Sequence, residues 1–150
     1  MPEESNDPRA AMERFTRAIN DHDLEAVVAC FADDYRDVEP AHPNRRVEGG
    51  TDEVRRNWGI LLAGVPDLRS EVALIAVEGD AAFIEQDWSG TRTDGTEMHV
   101  RGVNVFGVRD GRITWGRVYM ETVEEDGVAL DERVRRMAEG EGSPIDAEPG

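Results

Sequence analysis

At Asp67 the hydrophobic pattern of the chain changes period, and no other feature constrains the fold as much. Up to Leu62 the apolar residues recur at three- and four-residue spacing; from Leu68 onward they alternate with polar ones. The first spacing is one face of a helix and the second one face of a strand. Leu68–Val77, Ala81–Thr91, Thr96–Val108 and Arg112–Val123 read as strands, separated by turn signals at Glu78-Gly79-Asp80, Thr93-Asp94-Gly95 and Arg109-Asp110-Gly111. Connections this short join antiparallel neighbours, so the four strands are expected to form a meander.

Three helices precede the meander. Pro8–Asn20 presents Ala11, Met12, Phe15, Ala18 and Ile19 on one face. Asp23 is placed to cap a second helix with the stripe Leu24, Val27, Val28 and Phe31. A third opens at Thr51, with Asp52 and Glu53 in the first turn, where the helix dipole favours negative charge. Its buried stripe is Val54, Trp58, Leu61 and Leu62, and Gly64 and Pro66 stop it. A short helix is expected over Val128–Ala138. Helices followed by a meander is an α+β order. A curved sheet with helices on its concave side encloses a cavity between the layers. The domain is placed at residues 9–138, between a flexible N-terminus (1–8) and a disordered acidic tail (139–150).

Charge and composition exclude several functions. The 150 residues suit one domain; they carry 17 basic side chains, all arginine, against 33 acidic ones, a net charge of −16. Such a chain is a poor ligand for nucleic-acid phosphates or an anionic membrane. No apolar run approaches the roughly 20 residues of a membrane span, and the N-terminus lacks signal-peptide character, so a cytoplasmic location is expected. Cys30 is the single cysteine, and the three histidines show no metal-ligand spacing; no bound metal is expected. There is no GxSxG and no phosphate-cradling loop, and no cofactor is expected.

The chemistry-bearing candidates begin in the polar stretch from Asp33 to Trp58. Glu39 precedes Pro40 and His42 precedes Pro43, which biases both towards extended backbone. Glu39 reads as a general acid or base activated by partial burial, or as a solvated carboxylate on a short strand. His42 reads as a proton shuttle or substrate contact, or as a surface residue. Asn104, polar in an apolar strand, faces a cavity or needs a buried partner. Alternation groups Glu85 and Asp87 on one strand face, and Trp115, Arg117, Tyr119 and Glu121 on another. Parity alone does not say which face is inward.

The runs MERFTRAINDHDLEAVVACFADDYRDVEP, HPNRRVEGGTDEVRRNW, VPDL and FGVRDGRITWGRVYMET resemble the NTF2-like superfamily, in its SnoaL-like branch, over about residues 9–138. The resemblance implies a cone-shaped α+β barrel with a pocket at its open end and a homodimer formed through the sheet. Compared with ketosteroid isomerase, Glu39 falls on the base that precedes a proline, Phe15 on the oxyanion-hole tyrosine and Asn104 on the oxyanion-hole aspartate. Compared with limonene epoxide hydrolase, Asp87 falls on one aspartate, but Glu85 replaces the arginine and Val118 the second aspartate. That chemistry is not expected. Polyketide cyclases of the SnoaL-like branch use a strand carboxylate, for which Glu121 and Glu85 are the candidates.

The resemblance thus implies a cofactor-independent acid/base isomerase or cyclase acting on a small apolar carbonyl compound. Glu39 would be base, with His42 and Asn104 polarising the substrate and Glu121 or Glu85 assisting. Phe15 and Trp58 would form apolar wall, and Asp87 and Tyr119 would contact ligand; a water held between Asp87 and another acid would instead suit a hydrolase or dehydratase. The alternative is a non-catalytic ligand-binding or dimerisation module, whose carboxylates would be tied up by Arg45, Arg46 or Arg117.

Overall fold

The computed structural model describes residues 6–140; the outer parts of the expected flexible N-terminus and acidic tail, 1–5 and 141–150, lie outside the described residues. Helix α1 spans Pro8–Asn20. Asp7 caps it by accepting the Ala10 N–H at 2.7 Å, and Pro8 occupies a first-turn position where no N–H is needed. Its apolar stripe is buried as the spacing predicts. Helix α2, Leu24–Ala29, is capped by Asp23. Phe31 does not complete its stripe; it is buried as the first residue of strand β1, Phe31–Glu39.

Strand β2, His42–Val47, follows as a short charged hairpin partner of β1. Helix α3, Gly50–Gly64, is entered through a backbone that only glycine accepts easily. Gly50 has φ +65°, and a Cβ there would stand 2.1 Å from the Asp33 carbonyl oxygen. Glu53 closes the entry by accepting the Glu48 and Gly49 N–H groups at 3.0 and 2.8 Å. Strands β3 (Arg69–Glu78), β4 (Ala81–Thr91), β5 (Glu97–Arg109) and β6 (Arg112–Thr122) then form the predicted meander, and α4 spans Leu130–Ala138.

All six strands join one sheet in the order β2-β1-β6-β5-β4-β3. Every pairing is antiparallel except β1 with β6, whose parallel register is feasible because α3 and four strands intervene. Helices α1 and α3 pack on the concave side, α1 against β3, β4 and β5 and α3 against β1 and β2. At the centre Phe15 meets Phe31, Trp58 and Phe106 edge-on, with ring centroids 5.5, 5.7 and 5.8 Å apart. No described helix is long and apolar enough to cross a membrane.

Candidate active site

The concave sheet and the helices enclose a cavity of about 430 Å³. Phe15, Trp58, Trp88 and Phe106 form its apolar wall, while Tyr35, Asp37 and Glu39 line it from β1. Those three alternate along an extended strand, so they project to the same side. Asn44, Arg45 and Arg46 contribute from β2, and Asn57 from α3. Phe15, Trp58 and Asn104 line the cavity.

The most perturbed groups on its wall are Tyr35 and Asp37, neither of which sequence reasoning assigned a role. Tyr35 is 2% exposed, and its hydroxyl donates to Asp37 Oδ2 at 2.7 Å. Asp37 Oδ1 accepts the Val47 N–H at 3.1 Å. Burial raises the Asp37 pKa above the usual carboxylate value; the two hydrogen bonds pull it down, and the charges of Glu39 and Glu53 push it up again. The net direction is upward. Tyr35 is held well above the ordinary tyrosine value, first by burial and then by the charge and hydrogen bond of Asp37, so its hydroxyl stays protonated. The available signal was the alternation Tyr35-x-Asp37-x-Glu39.

Two polar groups on the cavity wall lack hydrogen-bond partners among the described residues. Asn104 is 1% exposed and its Oδ1 is unsatisfied; so is Trp88 Nε1. Buried polar atoms are seldom left this way.

Glu39 lines the cavity, but its carboxylate accepts from Arg45 Nη1 at 3.2 Å. His42 turns to Glu121, with Nε2 2.8 Å from Oε1. Strand β6 runs on beyond its last residue paired with β1, and there Glu121 meets the first residue of β2. The structure thus brings Glu39, His42 and Glu121 together.

Glu85, Asp87 and Tyr119 need correction as cavity residues. Their strand neighbours Ile84, Gln86 and Met120 are the ones buried beneath the helices, which turns these three to the convex face. Tyr119 is 46% exposed there. Asp87 is engaged by His99 Nε2 at 2.9 Å and Arg101 Nε at 2.8 Å. Burial raises its pKa, but these hydrogen bonds and charges outweigh that and leave it lowered. The expected match of Asp87 to an epoxide hydrolase aspartate fails, because its carboxylate is on the wrong side of the sheet.

The sequence profile described as the SnoaL-like domain matches residues 12–116. No curated protein matches the chain. Among solved structures, a Mycobacterium tuberculosis LEH-like epoxide hydrolase shares 24% identity over 80% of this chain and 86% of its own, with a TM-score of 0.66. A hypothetical protein of ketosteroid isomerase-like fold from Catenulispora acidiphila, in complex with trimethylamine, shares 18% over 75% and 85%, with a TM-score of 0.64. IdmH of Streptomyces antibioticus, described as a candidate polyketide cyclase, shares 23% over 76% and 91%, with a TM-score of 0.62. At these identities the structural likeness establishes the fold, an NTF2-like α+β cone. The profile match spans most of the domain, and on it the chain belongs to the SnoaL-like domain family.

Proposed function

We propose that the cavity is the active site of an isomerase or cyclase that moves a proton next to the carbonyl of a small, largely apolar compound. The observation that carries this reading is the raised Asp37 carboxyl on the wall of an aromatic-lined cavity. A base works best when its pKa approaches the working pH, and burial moves Asp37 in that direction. Asp37 would take the proton from the carbon beside the carbonyl, and the C–H electron pair would pass into an enolate. The indole N–H of Trp88 is the group proposed to donate to the substrate's oxygen, with Asn104 donating through its amide N–H, while its Oδ1, an acceptor, is left for a hydroxyl or N–H of the substrate. Returning the proton at another carbon gives isomerisation; attack of the enolate carbon on a second carbonyl, whose oxygen then takes the proton back from Asp37, gives an aldol-type ring closure. No cofactor is required for either step.

In this reading the base is Asp37 rather than Glu39. Glu39 and His42 are already engaged, by Arg45 and Glu121, and of the two only Glu39 lines the cavity. Those same ion pairs favour a second reading, a non-catalytic binding module, which anticipates carboxylates tied up by arginine. The two readings separate in deuterium oxide. The catalytic one expects exchange of α-protons, followed by proton NMR, in at least one of a panel of small apolar ketones and enones. Ligands that raise the melting temperature yet exchange no faster than in buffer would leave only the binding module. We also propose a homodimer formed through the convex face, on which Leu74 (60% exposed), Phe83, Trp115 and Tyr119 remain open.

A further inference from the structure

We infer that Glu39, His42 and Glu121 form a binding site for one divalent transition-metal ion at the rim of the cavity. Each offers a donor atom, and these atoms all lie within 4.8 Å of one another. They come from β1, β2 and β6, three adjacent strands, and Glu121 is far from the other two in sequence. Linear spacing therefore cannot reveal the set.

The electrostatics ask for a positive charge at this point. Two carboxylates this close repel, and the chain's net charge of −16 adds to the field. Arg45 offsets part of it from outside by donating to Glu39 Oε1. A hydrogen bond of that kind is what orients a metal-ligating carboxylate, and it leaves Glu39 Oε2 available. Between Glu39 and Glu121 lies the His42 Nε2, an atom that binds either a proton or a metal.

The donor set selects the ion. One imidazole nitrogen with two carboxylate oxygens suits Zn²⁺, Mn²⁺ or Co²⁺, whereas Mg²⁺ and Ca²⁺ prefer oxygen alone. Bonds of about 2.0–2.2 Å place the donors about 3.3 Å apart, so the 2.8 Å contact of His42 with Glu121 must open slightly and any wider separation, up to 4.8 Å, must close. Glu121 can supply that movement, since its side chain is 59% exposed. Three protein ligands leave at least one coordination position for water or a ligand oxygen. Of the three donors, Glu39 also lines the cavity. The inference does not depend on Asp37 acting as a base.

Zinc chloride titrated calorimetrically into the metal-stripped full chain tests it. One ion per chain is expected, with His42→Ala and Glu121→Gln each weakening binding by about tenfold or more. His99→Ala removes a second histidine–carboxylate pair, with Asp87 on the convex face, and is expected to bind as the wild type does. Asp37→Asn is expected to do the same, so failure here is separable from failure of the acid/base reading. Co²⁺ in place of Zn²⁺ is expected to give visible absorption of a low-coordinate ion that His42→Ala abolishes. Unchanged zinc affinity in both His42→Ala and Glu121→Gln would overturn the inference, as would the absence of heat and of a cobalt spectrum at about 1 mM ion, a weak-binding limit.

Discussion

At the scale of single residues, the cavity separates two carboxylates that look alike in sequence. Glu39 and Asp37 lie two positions apart on the same strand face, yet one is paired with an exposed arginine and the other with a buried tyrosine. That difference makes Tyr35 a handle on Asp37. The Tyr35 hydroxyl lowers the Asp37 pKa, while burial, the larger effect, raises it. Tyr35→Phe removes the lowering influence and keeps the burial, so Asp37 should titrate at higher pH than in the wild type. Carbon-13 NMR of the Asp37 carboxyl reads this directly; an unchanged or lower midpoint would mean the hydrogen bond does not act as described. The sign for stability also follows. A carboxyl whose folded pKa is raised contributes stability below its unfolded pKa and loses it as pH rises through the folded value. Asp37→Asn should therefore melt above the wild type at neutral pH and lose that advantage in acid. The segment holding both residues drew attention through Glu39-Pro40 and His42-Pro43, which mark backbone bias but say nothing about burial. Asp37 carried no such mark.

At the scale of elements, legibility follows the side of the sheet that each strand presents to the core. Strands β3 to β6 lie within a residue or two of their predicted bounds, because turn signals bound each of them and buried positions recur at every second residue, most clearly in β4. Strands β1 and β2 gave no such alternation. The inward positions of β1 beyond Tyr35 are Asp37 and Glu39, polar because they face a cavity instead of a core, and β2 is a charged edge. The residues that make the site are the ones that hide its strand. Phe31 hides its strand for a related reason: it continues the spacing of the α2 stripe, but the helix ends at Ala29 and the strand begins two residues later. The joint between β2 and α3 makes its own prediction. A side chain at Gly50 meets the Asp33 carbonyl while the backbone stays at positive φ. Gly50→Ala should therefore cost about 2 kcal/mol or more, measured by urea unfolding, since both strain and overlap oppose it. A loss under about 0.5 kcal/mol, the level of an ordinary surface change, would show that the joint relaxes freely.

At the scale of the whole molecule, the fold divides its duties between two faces of one sheet. The concave face, with α1 and α3, makes the aromatic-walled cavity; the convex face keeps Leu74, Phe83, Trp115 and Tyr119 exposed. If that outer face joins two copies, Leu74→Arg should shift the sedimentation coefficient from dimer to monomer and leave the fold intact by circular dichroism. A wild-type monomer at about 0.1 mM, far above the dissociation constant of a stable dimer, would remove the proposal. The central claim concerns the inner face, that Asp37 is the group to which the substrate's proton passes. Its most direct test compares Asp37→Asn with Glu39→Gln on whichever carbonyl compound the wild type exchanges. Asn can keep both hydrogen bonds, donating to Tyr35 and accepting from Val47, so the cavity should survive the change. Asp37→Asn is expected to lower kcat by about 10²- to 10⁴-fold, the usual worth of a general base, while Glu39→Gln stays within about threefold. The opposite ranking, or an Asp37→Asn enzyme as fast as the wild type, would contradict that claim.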